Sequence, residues 1–183
     1  MKKIIYIPLL LLLLSCNKGK RSYEDKVSIE ELKTELISKF GKDAYYTKLS
    51  ITNKDYGSFV SVSQTDEPSS LKMTDWNYSK GSWKQTSDVT LELFQGAKAV
   101  DFMFQLDKIV DFDLIGKVVE ESKKKIIEEK GISEVRVENI IIKAPNDGNF
   151  NNMKYYITIS PKSGGTDFEF WYKIDGTLDH FDY

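Results

Sequence analysis

The sequence predicts an α+β fold of two tandem modules, each one helix packed on a four-stranded antiparallel sheet. Three observations carry that expectation. Two amphipathic stretches each end at a glycine, Gly41 and Gly131. After each, the apolar period shifts from helical to alternating, in short runs separated by turn residues. Two short segments then recur about 95 residues apart. A hydrophobic share of 40% with 13% aromatics supplies enough apolar side chain for a packed body rather than a disordered one.

The first module is expected over residues 28–93. Ser28 is followed three residues on by Glu31, the pairing of a capping box. Ile29, Leu32, Leu36 and Phe40 share one helical face, and Gly41 stops the helix. Alternation at 49–52, 59–63, about 73–78 and 83–93 predicts four strands. Tyr56-Gly57, residues 66–70 and Lys80-Gly81 supply the turns between them. Residues 94–112 form a connecting segment. There Phe102, Phe104 and Leu106 alternate as in a strand, while Ala99, Phe102, Met103 and Leu106 would equally stripe a short helix. Both assignments stay open.

The second module, 113–183, repeats the order. A helix is expected to Lys130, then strands at 135–143, 155–160, 167–174 and 177–183. Trp76 and Trp171 are each followed by four residues, a glycine (Gly81, Gly176), a hydroxyl (Ser82, Thr177) and a large apolar residue (Trp83, Leu178). Phe59, Val60, Ser61, Val62 and Ser63 likewise match Tyr156, Ile157, Thr158, Ile159 and Ser160. The pattern is that of a diverged duplication. One helix per module covers one sheet face and leaves the other partly open to water.

The aromatic strand, the Asp175-Gly176 turn and the closing strand at 171–178, with a weaker copy at 76–83, resemble the PepSY-like family and its relative, the β-lactamase inhibitory protein. The resemblance covers most of 28–183. It implies helix-plus-meander modules and a binding role, often toward an exported hydrolase, rather than catalysis. The chain departs from the inhibitory protein in one respect: that protein's modules are disulfide-bonded, and a single cysteine forms no such bond within the chain.

The N-terminus carries an address. Lys2 and Lys3 precede an apolar run over 4–14, shorter than the roughly 20 residues a helix needs to cross a bilayer. The following Leu13-Leu14-Ser15-Cys16 resembles the bacterial lipoprotein signal. That resemblance implies removal of residues 1–15 and acylation of Cys16, several acyl chains making a stable anchor. The expected location is the cell envelope, on the periplasm-facing outer membrane. Residues 16–27 then read as a flexible polar tether. Removing Lys2 and Lys3 takes the 26 basic residues to 24 against 28 acidic, a net charge near −4. With no basic patch to track phosphates, nucleic acid is not an expected partner.

Catalytic equipment is sparse. His180 is the sole histidine, three residues from the C-terminus, and reads as an exposed strand residue rather than a base. The one thiol is assigned to lipid. The loop at 146–152 is oxygen-rich but lacks the acidic spacing and closing glutamate of a calcium loop. Asp167, Glu169 and Asp175 lie near one another, as expected by chance among 28 acidic residues. Gly164-Gly165 is a turn between strands, and no cofactor is expected. The aromatics are more suggestive. Trp76, Tyr78, Trp83, Trp171 and Tyr172 include sequence neighbours that point to opposite faces of a strand, and exposed Trp and Tyr anchor interfaces. These five are the candidate binding residues. The expected partners are the membrane, through lipid on Cys16, and another envelope or exported protein. An immunity protein against a delivered toxin and a carboxylate-dependent hydrolase are the alternatives.

Overall fold

The structure is a computed structural model describing residues 21–183. The expected signal peptide and Cys16 lie outside the described residues. Among those described, no helix is long and apolar enough to cross a membrane.

Helix α1 (Lys26–Phe40) starts earlier than the Ser28 reading predicts. Asp25 is the N-cap: its carboxylate accepts the Ser28 N–H at 2.9 Å, and Ser28 Oγ accepts the Asp25 N–H at 3.3 Å. The capping box exists, but Ser28 occupies its third helical position. The start moves because Tyr23 is drawn into the core, 1% exposed. The side chain of Asn53, itself fully buried, accepts the Tyr23 N–H (3.1 Å) and donates to the Tyr23 and Val137 carbonyls (3.0 and 2.9 Å). The tether expected to reach residue 27 is therefore packed against the body from Arg21 onward.

Strands β1 (Tyr45–Lys54), β2 (Gly57–Thr65), β3 (Lys72–Ser79) and β4 (Ser82–Thr90) form a meander. The connecting segment resolves its two readings by using both in turn. A 3-10 turn at Ala99–Phe102 leads into a two-residue strand β5 (Phe104–Gln105), which pairs with Tyr45 and Tyr46 of β1. Helix α2 (Phe112–Lys130) is capped by Asp111, whose carboxylate accepts the N–H groups of Asp113 and Leu114, and it ends at left-handed Gly131. A second meander follows: β6 (Val135–Lys143), β7 (Lys154–Pro161), β8 (Phe168–Lys173) and β9 (Leu178–Asp182).

The strands join into one antiparallel sheet in the order β4-β3-β2-β1-β6-β7-β8-β9. The junction is the β1·β6 pair, with Ser50 opposite Ile141. Both helices cover the same face over one core. That core takes Ile29, Leu32 and Leu36 from α1 and Ile115, Val118 and Ile126 from α2. The inward residues Leu49, Ile51, Val60, Ile140, Ile157 and Phe170 complete it. Each such side chain contributes roughly 1.5–3 kcal/mol by leaving water. The helices touch at Gly116, where an added Cβ would lie 2.8 Å from the Lys26 Cα, so only glycine admits this approach.

Candidate functional site

Alternation along the central strands divides the sheet into a covered inner face and an open outer face. The structure places four of the five candidate aromatics on the inner one. Tyr78 and Tyr172 are buried, 6% and 4% exposed. The Tyr172 hydroxyl bonds Ser122 Oγ of α2 at 2.7 Å, and Ser122 in turn donates to the Val118 carbonyl. Burial pushes the Tyr172 hydroxyl pKa above its usual value. Trp76 meets Phe40 edge-on at 5.7 Å, under the Lys39 ammonium at 4.2 Å from its ring centre. Trp83 also packs on Phe40, and its Nε1 donates to Glu35 Oε1 at 3.1 Å. These four fasten α1 and α2 to the sheet, Tyr78 and Tyr172 buried and Trp76 and Trp83 half-buried against the core.

Trp171 alone of the five faces outward. His180 of β9 stacks on it with centroids 4.2 Å apart and planes 16° from parallel, and Tyr156 of β7 meets it edge-on at 6.4 Å. The stack follows from register: Trp171 sits opposite His180 and also opposite Tyr156. Beside this aromatic row lies a hollow of about 420 Å³ whose lining includes Ile141, Lys143, Tyr156, Thr158, Glu169 and Trp171. The lining also takes in Asn146 and Ile157, so apolar side chains stand beside one cation, Lys143, and one anion, Glu169. Tyr156, His180, Ile141 and Lys143 were not among the candidates read from sequence. The alternation of Tyr156 against Ile157 and Ile159 was the signal that could have found the first.

The outer face of β1 to β4 differs. Ser61 Oγ donates to Asn77 Oδ1 (2.7 Å), Ser87 Oγ to Asp75 Oδ2 (2.8 Å), and Thr52 Oγ1 to Asn139 Oδ1 (2.8 Å). Hydroxyls there donate to amide and carboxylate oxygens across the strands.

The other residues with possible chemistry are dispersed. Asp167 accepts a hydrogen bond from Ser160 Oγ at 2.6 Å. Asp175 lies in the β8–β9 turn, where the Thr177 N–H at 2.9 Å holds its carboxyl below the usual range. Only Glu169 of that trio lines the hollow. The two aspartates flanking His180 are likewise separated in role: Asp179 pairs with Lys154 at 2.6 Å, and Asp182 sits opposite Glu169. In the 146–152 loop, Asp147 and Asn149 accept N–H groups two residues ahead, so their oxygens shape the turn. No group of three or more His, Cys, Asp or Glu side chains suited to a metal occurs among the described residues.

No protein-family model matches the chain, and no curated protein matches it. Among solved structures, the chain is similar to the crystal structure of a "putative lipoprotein" from Clostridium difficile 630. The TM-score is 0.51 and the identity 15%, over 91% of this chain and 99% of that one. At that identity the likeness concerns the fold.

Proposed function

We propose that the protein is a lipid-anchored envelope protein that binds another exported or envelope protein and performs no catalysis itself. The observation that carries this reading is the Tyr156–Trp171–His180 row beside its hollow, left open on a face whose other half satisfies its own polar groups. A preformed aromatic cluster beside a hollow with apolar side chains and two charges loses little conformational entropy on docking and gains much apolar contact. The anchor reading is supported by the sequence around Cys16 and by the name carried by the structural neighbour, which also favours an envelope location. The architecture fits two helix-plus-meander units of common origin joined edge to edge at β1 and β6, since each helix precedes a four-strand meander.

The test uses the full chain in its own envelope. Photoreactive benzoylphenylalanine at position 156 is expected to give a discrete crosslinked product that Trp171→Ala removes, while the same group at position 61 gives none. Equal products at both positions, or a product indifferent to Trp171→Ala, overturns the proposed surface.

A further inference from the structure

We infer that the strand end carrying Arg21, Tyr56, Phe59 and Lys80 is the surface that rests on the bilayer, meeting the anionic headgroups of the membrane that holds Cys16. The inference rests on the lipid-anchor reading and adds to it an orientation and a contact surface.

Reach is the first argument. Five residue steps separate Cys16 from Arg21, which at full extension span about 18 Å. The sheet has eight strands side by side, roughly 34 Å across at about 4.8 Å per spacing. The leash is thus about half the width of the body, and it enters at a fixed corner. The Ser58 N–H donates to the Arg21 carbonyl at 3.0 Å, pinning the chain beside the β1–β2 turn.

Chemistry at that corner is the second. Tyr56 is 71% exposed and meets Phe59, 38% exposed, edge-on at 5.9 Å. Neither belongs to the core. Between the β1–β2 and β3–β4 turns lies a hollow of about 410 Å³, lined by Arg21, Tyr56, Phe59, Tyr78 and Lys80 among others. Tyrosine at the headgroup level with a cation beside it, here Lys80, is the side-chain pairing that membrane–water interfaces favour. Of the nearby acids, Asp55 pairs with Arg136, Glu138 with Lys54 and Arg136, and Glu35 with Arg21, while Glu31, beside Arg21 and Gly81, has no ion pair among the described residues. Lys80 carries no ion pair among the described residues, and Lys18 and Lys20 add two more charges along the leash.

The orientation has a use. Tyr156 lies three strands away from β2, opposite Ile141, Ser50 and Ser61 in turn. With Tyr56 down, the aromatic row is displayed roughly 15–20 Å higher along the strands, at about 3.3 Å per residue.

The experiment uses the full-length acylated protein in vesicles of phosphatidylethanolamine and phosphatidylglycerol, 3:1. Acylation blocks Cys16, so Tyr56→Cys, Lys80→Cys or Lys48→Cys each supplies the single free thiol for an environment-sensitive fluorophore, Lys48 lying opposite Ser63 toward the other end of the strands. Quenching by headgroup spin-labelled lipid is expected to be at least threefold stronger at 56 and 80 than at 48. Equal quenching at all three positions, in a sample whose intact mass shows the acyl chains, overturns the seat and leaves the anchor standing. An unacylated mature chain overturns both. Position 80 covers the case in which labelling at 56 disturbs its turn.

Discussion

Trp76 and Trp171 occupy the same place in two matching stretches of sequence, five residues before a turn glycine, yet they lie on opposite faces of the sheet. The turns explain the difference. Lys80-Gly81 is a two-residue turn with φ of 50° and 81°, so Ser79 is the last paired residue, opposite Ser82. In the second hairpin the Lys173 N–H bonds the Thr177 carbonyl, and the loop holds three residues, ending in Gly176 at φ 83°. Trp76 is therefore three positions from the end of its strand and Trp171 two. Side chains alternate, so one extra loop residue sends one indole under α1 and the other into water. The other matched pair, Phe59 and Tyr156, keeps its face: both point outward at 38% exposure. A turn glycine aligns two sequences without aligning their strands. A one-residue change of loop length converts a helix-covered residue into an outward-facing one.

The largest effect should come from truncating the two indoles. Trp76→Ala removes the contact with Phe40 and should cost about 3 kcal/mol of unfolding free energy. Trp171→Ala should cost about 1 kcal/mol or less and instead abolish the position-156 crosslink. Denaturant titration of both variants checks this, and equal losses would erase the distinction between the faces.

Alkaline titration sharpens it next. Burial pushes the hydroxyls of Tyr23 and Tyr155 up to about 12. Their folded values exceed the unfolded one near 10, so the stability they confer is complete below pH 10 and is lost as pH rises through 12. Each should account for about 2 kcal/mol. Tyr155→Phe should flatten the decline in melting temperature between pH 10 and 12. An unchanged slope would contradict the burial argument.

The smallest effect contrasts two buried hydroxyls. Tyr172→Phe removes the bond to Ser122 and should cost about 1 kcal/mol, whereas the Tyr46 hydroxyl is buried with no partner, so Tyr46→Phe should stabilise by up to about 1 kcal/mol. Thermal unfolding of both variants should show shifts of opposite sign.

These differences also mark what could be read from the chain. Ile29, Leu32, Leu36 and Gly41 specified a helix through local periodicity, and Phe59 to Ser63 a strand by alternation, because both signals depend on neighbours. The helix starts at the Asp25 cap and not at Ser28, and the burial of Tyr23 before it, held by Asn53 thirty residues on, leaves no mark in the local period. The β1·β6 junction that fuses the sheet joins residues about 90 positions apart and leaves no local trace. At the candidate site, Trp171 was legible as an aromatic but its face was not, since that depends on loop length. His180 became interesting only through register, which set it on Trp171.

The Asn53 clasp has a mechanical corollary. By gripping Tyr23 and Val137 together, it ties the segment that precedes α1 to β1 and β6, the two innermost strands, instead of to a free edge. A pull on that segment therefore loads the middle of the sheet, where many ladder bonds resist together, and does not peel strands off one by one.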